Sequence, residues 1–251
     1  MSGIFAGSWQ AVRALWNGRP IRRFLGDHVD ERLTLSIFVR DMVSADRKYY
    51  SQLPTGEVQQ WQNFPVVGRT DVEVVTDVLN LLGKAGRSSN IAWRQLTRDW
   101  DLWSEPILCV GGNFKTEKVL TLCEPRLVKY DPPQTFTTLA DKKVFDINDG
   151  NDYGLIYRGR HSQTGASCLI LFGFGSAGTE AAGAYLRRKA HDLASLYGPR
   201  PFAAIIRIRP DDGRESGSVV WLSPDTSPFA PIFHFLAWHR HRRLIAQKSA
   251  A

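Results

Sequence analysis

Residues 168–186 read CLILFGFGSAGTEAAGAYL, and this stretch decides the fold class. Its first five residues are apolar and have the length and composition of a buried strand. A G-x-G-x-x-G pattern follows at Gly173, Gly175 and Gly178, and alanine-rich sequence with helical character comes directly after it. The stretch therefore predicts a strand, a tight turn and a helix in succession, which is the repeating unit of an α/β fold.

The same turn is the first candidate binding site. Glycine lets the backbone approach an anion closely, and the free N–H groups at the start of a helix point at that anion. We therefore predict that Gly173, Gly175 and Gly178 bind a phosphate group, with hydroxyl donors from Ser176 and Thr179. The alternative is a tight turn that needs small residues only for packing. A dinucleotide site is not favoured, because no clean βαβ unit with an acidic residue about 20 positions on follows the turn.

Two further turns resemble the first. One follows the apolar run 106–110 and contains Gly111, Gly112 and Asn113, and the other precedes a helix and contains Gly68 and Asp71. Each is weak evidence alone. In an open α/β sheet, however, ligands collect beyond the carboxyl ends of strands, where such turns cluster. The three turns together therefore predict one shared pocket.

The remaining pattern extends this fold over residues 31–228. It predicts helices at 70–82 and 177–197, strands at 33–39, 90–96, 106–110 and 127–130, antiparallel strands at 144–147, 155–158 and 168–172, and a terminal hairpin at 203–208 and 219–222. We expect a Rossmann-like layered sheet with helices on both faces, mixed parallel with an antiparallel portion and a C-terminal hairpin. Residues 1–30 are predicted to be an amphipathic helical appendage, and residues 229–251 an aromatic and then basic tail.

Charge and cysteine content narrow the class of protein. The chain of 251 residues has 32 Lys and Arg against 25 Asp and Glu, a net charge of +7 that favours anionic partners. Two of its three cysteines, Cys109 and Cys168, lie in apolar runs, and the sequence has no CxxC pair, which predicts reduced, buried thiols and a cytoplasmic location. The sequence shows no signal peptide. The helix predicted near the N-terminus is more typical of packing on its own domain than of membrane binding.

Few residues in the sequence are candidates for a catalytic role. Asp152 and Glu180 lie near the predicted turns and are the carboxylates that we assign as general base or as acceptor of a ribose hydroxyl, although each is also typical of a cap or turn residue. The nucleophile elbow G-x-S-x-G and the P-loop pattern are both absent from the sequence. Three histidines in the tail, His234, His239 and His241, lack a second ligand cluster, so we predict no metal site. The basic tail remains a candidate contact for nucleic acid.

Three segments carry a family resemblance. They centre on VGGNFKTEKVL (110–120), DYGLIYRGRH (152–161) and LILFGFGSAGTEAAGAYL (169–186). Over residues 33–222 the chain resembles a Rossmann-like domain of prokaryotic conflict and stress-response proteins, similar in outline to the nucleotide-sensing or nucleotide-processing SLOG and TIR-like groups. The resemblance implies a nucleotide or NAD-derived ligand and work alongside a partner effector protein or as a homo-oligomer.

Three functional hypotheses follow, and the sequence leaves the cofactor unidentified. The first is a non-catalytic sensor or partner module that binds a nucleotide-like, phosphate-bearing ligand. The second is an enzyme that processes such a ligand, for example by cleaving an N-glycosidic bond. The third is a scaffold subunit of a protein complex. We favour the first, because no residue pair in the sequence has committed catalytic spacing.

Overall fold

The computed structural model describes residues 19–39, 48–52, 58–62, 68–94, 103–111, 114–131 and 134–224. Residues 19–25 form helix α1, which continues into a short 3-10 helix at Gly26–Val29. The other helices are α2 (Arg69–Lys84), α3 (Phe114–Leu122) and α4 (Ser176–Tyr197). The strands are β1 (Leu35–Val39), β2 (Lys48–Gln52), β3 (Val58–Gln62), β4 (Ile91–Arg94), β5 (Ile107–Val110), β6 (Cys123–Glu124), β7 (Val128–Asp131), β8 (Thr135–Thr138), β9 (Val144–Asp146), β10 (Asp152–His161), β11 (Ser167–Gly173), β12 (Phe202–Ile208) and β13 (Ser218–Leu222).

The central element is a mixed sheet with the strand order β13-β12-β10-β11-β5-β1-β4, and β6 pairs with the end of β10. Strands β4, β1, β5 and β11 are parallel to one another. Strand β10 runs antiparallel to both β11 and β12, and β13 is antiparallel to β12. The mixed α/β fold, the mixed sheet and the terminal hairpin predicted from the sequence are thereby confirmed.

Each face of the sheet has its own apolar core. Helices α2 and α4 pack on one face, where Val74, Val78 and Leu186 meet strand residues such as Leu108 and Ile156. Helix α3 packs on the other face, together with a separate three-stranded sheet β7-β8-β9. Described helices therefore cover both faces. Alternation along each strand explains this division, because successive side chains point to opposite faces.

One strand prediction was wrong in its pairing. Residues 144–147 were expected to join the antiparallel strands at 155–158 and 168–172. In the structure β9 pairs with β8 instead, in register Phe136↔Phe145, and only β10 and β11 form the expected antiparallel pair. No apolar run in the sequence indicates β8, because its Thr135–Thr138 segment is short and contains three threonines, so β9 had no visible partner.

The two predicted flanking segments have different outcomes. Within the segment 1–30, residues Ile21, Phe24, Leu25 and Val29 are buried in the core on the α2 and α4 face, so this part packs into the domain. Its first 18 residues and the tail 229–251 lie outside the described residues, and the predicted boundaries remain predictions. Within the described ranges, no helix has the length and apolar character needed to cross a bilayer.

Candidate functional site

The three predicted turns lie at the carboxyl edge of the parallel strands. Gly111 directly follows β5, and its N–H donates to the carbonyl of Leu171 in the adjacent strand β11 at 2.9 Å. Its φ of +89° is in the left-handed region that glycine tolerates. Thr116 tightens the turn by donating its hydroxyl to the Gly111 carbonyl at 2.7 Å. Gly112 and Asn113 lie outside the described residues.

The chain leaves β5 and β11 toward opposite faces of the sheet. Helix α3, which follows β5, contributes Val119 and Leu120 to one core, whereas α4, which follows β11, contributes Leu186 and Leu193 to the other. Because β5 and β11 are adjacent and parallel, their carboxyl ends flank a crevice of the kind in which open α/β sheets bind ligands.

The turn at Gly68 meets the start of α4. Thr70 donates its hydroxyl to Oε1 of Glu180 at 2.8 Å, and a Cβ added at Gly183 would lie 2.8 Å from Cγ1 of Val74. The two helices therefore cross closely at their first turns. The N-cap of α2 is Gly68, which makes no side-chain cap bond. Asp71 lies inside the first helical turn and is buried.

The N–H groups of the G-x-G-x-x-G turn bind a carboxylate of the chain itself. Asp152, at the start of β10, is 4% exposed. Its Oδ1 accepts the N–H of Gly175 at 3.1 Å and of Tyr153 at 2.7 Å, and its Oδ2 accepts the N–H of Gly178 at 2.7 Å. The Asp152 carboxylate thus occupies the place at the N-terminus of α4 that the sequence assigned to a phosphate.

Close packing also explains the glycines of this turn. A Cβ added at Gly178 would lie 2.5 Å from the carbonyl oxygen of Tyr153, and one at Gly175 would lie 2.7 Å from Oδ2 of Asp152. Thr179 adds a bridge, since its Oγ1 accepts the N–H of Gly173 at 2.9 Å and donates to the carbonyl of Gly175 at 3.1 Å. These contacts favour the packing alternative for the motif.

Most predicted ligand-binding and catalytic groups at this turn are thus engaged inside the protein. Gly173, Gly175, Gly178 and Thr179 bond to their own chain, and only Ser176 has an exposed side chain. Asp152 supports the turn, and Glu180 accepts a hydroxyl from α2 rather than facing Asp152 across a cavity. The geometry gives the enzyme hypothesis no support from these two carboxylates.

A cavity of about 390 Å³ lies at the same edge of the sheet, beyond the carboxyl end of β12. We call it the arginine cavity. It is lined by Asp149, Gly150, Asn151, Arg207, Ile208, Arg209, Pro210, Asp211, Asp212, Ser216 and Ser218. Sequence reasoning missed it, because PDDGRESGS was assigned only to a hairpin turn.

Two guanidinium groups, those of Arg207 and Arg209, supply the positive charge in the lining of this cavity. Ile206 and Ile208 are buried in the core against α4, so Arg207 between them faces the other side of the sheet. Arg209 follows directly after the end of β12. Both arginines are exposed. In the described part of the chain, neither has a carboxylate oxygen within the 4.0 Å of an ion pair. The RIR alternation was the available sequence signal.

The turns around the arginine cavity are held in place. On one side, the Tyr153 hydroxyl donates to Oδ2 of Asp149 and the Asn151 N–H donates to its Oδ1 at 2.9 Å. Burial opposes ionisation of Asp149, but these hydrogen bonds outweigh it and lower its pKa. On the other side, Pro210 sits in a turn closed by the Asp212 N–H, which donates to the Arg209 carbonyl at 3.0 Å.

Ion pairs anchor the loop 209–218 to the helices. Arg214 bonds to Asp77 of α2 at 2.8 Å, and Asp77 also bonds to Arg187 of α4 at 3.2 Å. Arg188 donates to the carbonyl of Gly217 at 3.0 Å. Asp77 is buried, so solvent screens this network less than an exposed pair. The loop therefore forms a stable wall.

Buried polar groups at the opposite, amino edge serve the fold. Arg158 donates to the carbonyls of Gly198, at 2.9 Å, and Arg200 beyond the C-terminus of α4, and burial lowers its pKa to about 10. His28 is buried with both ring nitrogens 3.0 Å from carbonyl oxygens, those of Leu25 and Ile107. Burial lowers the His28 pKa despite these contacts.

The three cysteines are free and buried, as the sequence predicted. Burial raises the pKa of Cys109, and a contact with Cys168 together with burial raises that of Cys123, so neither has the thiolate character of a nucleophile. In the ranges that the structure covers, no group of three or more His, Cys, Asp or Glu side chains is arranged to hold a metal ion.

Comparison of the chain with models of protein families and with curated proteins finds no match.

Proposed function

We propose that this protein is a non-catalytic module that binds a phosphate-bearing, nucleotide-like small molecule in the arginine cavity. The observation that carries the proposal is the pair Arg207 and Arg209, two exposed guanidinium groups that line one cavity of about 390 Å³. Neither makes an ion pair within 4.0 Å in the described part of the chain, and the charge of Arg207 also helps to lower the pKa of Asp149 in the same lining. A guanidinium group donates parallel hydrogen bonds to phosphate oxygens and stays charged at all physiological pH values. The volume is within the range of small-molecule sites.

The position of the cavity supports this proposal. We interpret the layered sheet as Rossmann-like, since parallel strands β4, β1, β5 and β11 carry helices on both faces. In such sheets the carboxyl edge is the usual place of ligand binding. The arginine cavity lies at that edge, two strands away from the crevice between β5 and β11.

Binding is favoured over catalysis because the two carboxylates that the sequence assigned to catalysis, Asp152 and Glu180, do not belong to the cavity lining. Asp152 and Glu180 are engaged by N–H and hydroxyl donors of the protein, and Asp149 is engaged by Tyr153. In the sensor proposal, ligand binding alters association with a partner protein or with a second copy of the chain. A nucleotide-like ligand and a cytoplasmic role in a prokaryotic defence or stress response agree with the resemblance of the sequence.

Thermal denaturation and calorimetry with inorganic phosphate, AMP, ATP and NAD test the proposal. A ligand at 100 times its Kd stabilises the folded state by about 2.7 kcal/mol. We expect this stabilisation in the wild type and its loss in the double variant Arg207→Gln/Arg209→Gln. The matched control is Arg32→Gln/Arg126→Gln, which removes the same charge from exposed sites that the cavity lining does not include.

Three results would overturn the proposal. The first is equal ligand affinity in the wild type and in the Arg207→Gln/Arg209→Gln variant, and the second is no binding of any ligand in the panel. The third is chemical turnover of the bound ligand, measured by chromatography after incubation, which would favour the enzyme hypothesis.

A further inference from the structure

The arginine cavity combines charges of both signs. Its lining has the two guanidinium groups of Arg207 and Arg209 and the three carboxylates of Asp149, Asp211 and Asp212. Asp149 accepts hydrogen bonds from Tyr153 and Asn151, whereas no described donor bonds to the exposed carboxylates of Asp211 and Asp212. The cavity therefore offers cationic donors and anionic acceptors at the same time.

This mixture disfavours a simple anion. Carboxylates outnumber guanidinium groups, so inorganic phosphate gains little net Coulomb attraction in the cavity. A ligand that carries hydroxyl groups beside its phosphate has donors for Asp211 and Asp212. Acidic side chains accept sugar hydroxyls in the same way in dinucleotide sites.

The lining also disfavours recognition of a nucleobase. Bases are held mainly by stacking on aromatic side chains or guanidinium planes, with hydrogen bonds to their edges. No aromatic side chain belongs to the described lining of the cavity, and the proposed function assigns both guanidinium groups to the phosphate. Polar donors such as Asn151, Ser216 and Ser218 fit the remaining oxygens of a sugar.

We propose that the arginine cavity recognises a sugar phosphate, with Arg207 and Arg209 on the phosphate and Asp211 and Asp212 on the sugar hydroxyls. This inference rests on the proposed function and specifies the part of a nucleotide-like ligand that is bound. The Arg209–Asp212 turn, closed by its backbone hydrogen bond, places the two acidic residues directly after the second arginine. A nucleobase attached to the sugar lies outside the contacts.

Calorimetric titration of the full chain with ribose 5-phosphate, inorganic phosphate, ribose and AMP tests the assignment. We expect ribose 5-phosphate to bind about tenfold or more tightly than inorganic phosphate, since hydrogen bonds to charged groups contribute this much. AMP should bind within about threefold of ribose 5-phosphate if the base adds no contact. Ribose alone should show no heat of binding.

The carboxylates are tested by Asp211→Asn/Asp212→Asn. This double variant should lose about tenfold of its affinity for ribose 5-phosphate, and it should bind inorganic phosphate equally well or better because negative charge is removed. The control Asp131→Asn/Asp192→Asn removes the same charge from residues that pair with Lys129 and Lys189 on other surfaces, and it should bind both ligands like the wild type.

The contrary results distinguish failure of the sugar assignment from failure of the proposed function. If inorganic phosphate binds as tightly as ribose 5-phosphate and the aspartate variant changes neither affinity, the sugar assignment is overturned and the proposed phosphate site stands. Binding of AMP that is more than tenfold tighter than that of ribose 5-phosphate also overturns the assignment, because the base then makes contacts. If none of the phosphates binds, the proposed function itself fails.

Discussion

Two regions lie at the same edge of the sheet: the glycine turn between β11 and α4, and the arginine cavity beyond β12. They differ in whether their polar groups bond to the protein itself. At the turn, Asp152 accepts the N–H groups that point out of the helix start. In the cavity, the guanidinium groups of Arg207 and Arg209 are exposed and make no ion pair within 4.0 Å in the described part of the chain. The stretch that looks most like a phosphate site is used to build the fold, and a stretch without a known motif carries the exposed cationic donors.

The largest effect that tests this comparison is expected at Asp152. Asp152→Ala leaves the N–H groups of Tyr153, Gly175 and Gly178 without their acceptor, and we expect the free energy of unfolding to fall by about 3–4 kcal/mol. Urea denaturation followed by circular dichroism measures this. The control Asp212→Ala changes an exposed acid and should stay within about 0.5 kcal/mol of the wild type. A stable Asp152→Ala protein that gains phosphate binding would reverse the roles of the two regions.

A smaller loss of stability is expected when a methyl group is added to the glycine turn. Gly178→Ala places its Cβ against the Tyr153 carbonyl and Asp152, and it should cost about 2–3 kcal/mol of unfolding free energy because both contacts are with buried atoms of β10. Gly213→Ala is the matched control, since its added Cβ meets no atom within 4 Å and its φ of −63° suits any residue. Equal stability of the two variants would show that the glycines of the motif are not required for packing.

The smallest expected effect on stability concerns His28. Its buried ring nitrogens lie next to carbonyl oxygens, whereas the buried carboxylate of Asp152 accepts backbone N–H groups. The folded-state pKa of His28 lies below the usual 6.5, so the unfolded chain takes up more protons as the pH falls through 6.5. We therefore expect the free energy of unfolding to decrease below about pH 6.5 and to be constant just above it. Denaturation from pH 7.5 to 5.5 measures the slope, and His28→Gln should flatten it. A slope that persists in this variant would assign the effect to other groups.

Local pattern predicted the elements around the motif closely. The apolar run 168–172 and the helix 177–197 differ from β11 and α4 by one residue at most at each end, because strand burial and helical periodicity are local properties. The clustering of the turns at Gly68, Gly111 and Gly173 also followed from topology, since they follow or precede elements of one parallel sheet. The pairing of β9 with β8 could not be predicted, because the β8 segment contains little apolar sequence.

The site itself depends on contacts between distant residues. Asp152 reaches Gly175 because β10 pairs antiparallel with β11 in register Gly154↔Gly173. The sequence predicted the antiparallel pair, but no local signal in either segment predicts its register. Arg207 could be placed on one face of β12 by alternation, and Arg209 follows directly after that strand. The cavity beside them also requires two turns that the local pattern does not place. Hydrogen bonds to Asp149 hold the turn at 149–151, and contacts with α2 and α4 hold the loop 209–218.

The contact between β10 and the first turn of α4 has an evolutionary consequence. Gly154 and Gly178 leave no room for each other's side chain, and Asp152 requires the N–H groups of Gly175 and Gly178. We therefore expect these residues to change only together, so that D-x-G (152–154) and G-x-G-x-x-G-T (173–179), which begin 21 positions apart, are inherited as a unit. Homologues of this chain should be detectable by that paired spacing even where the arginine cavity has diverged to another ligand.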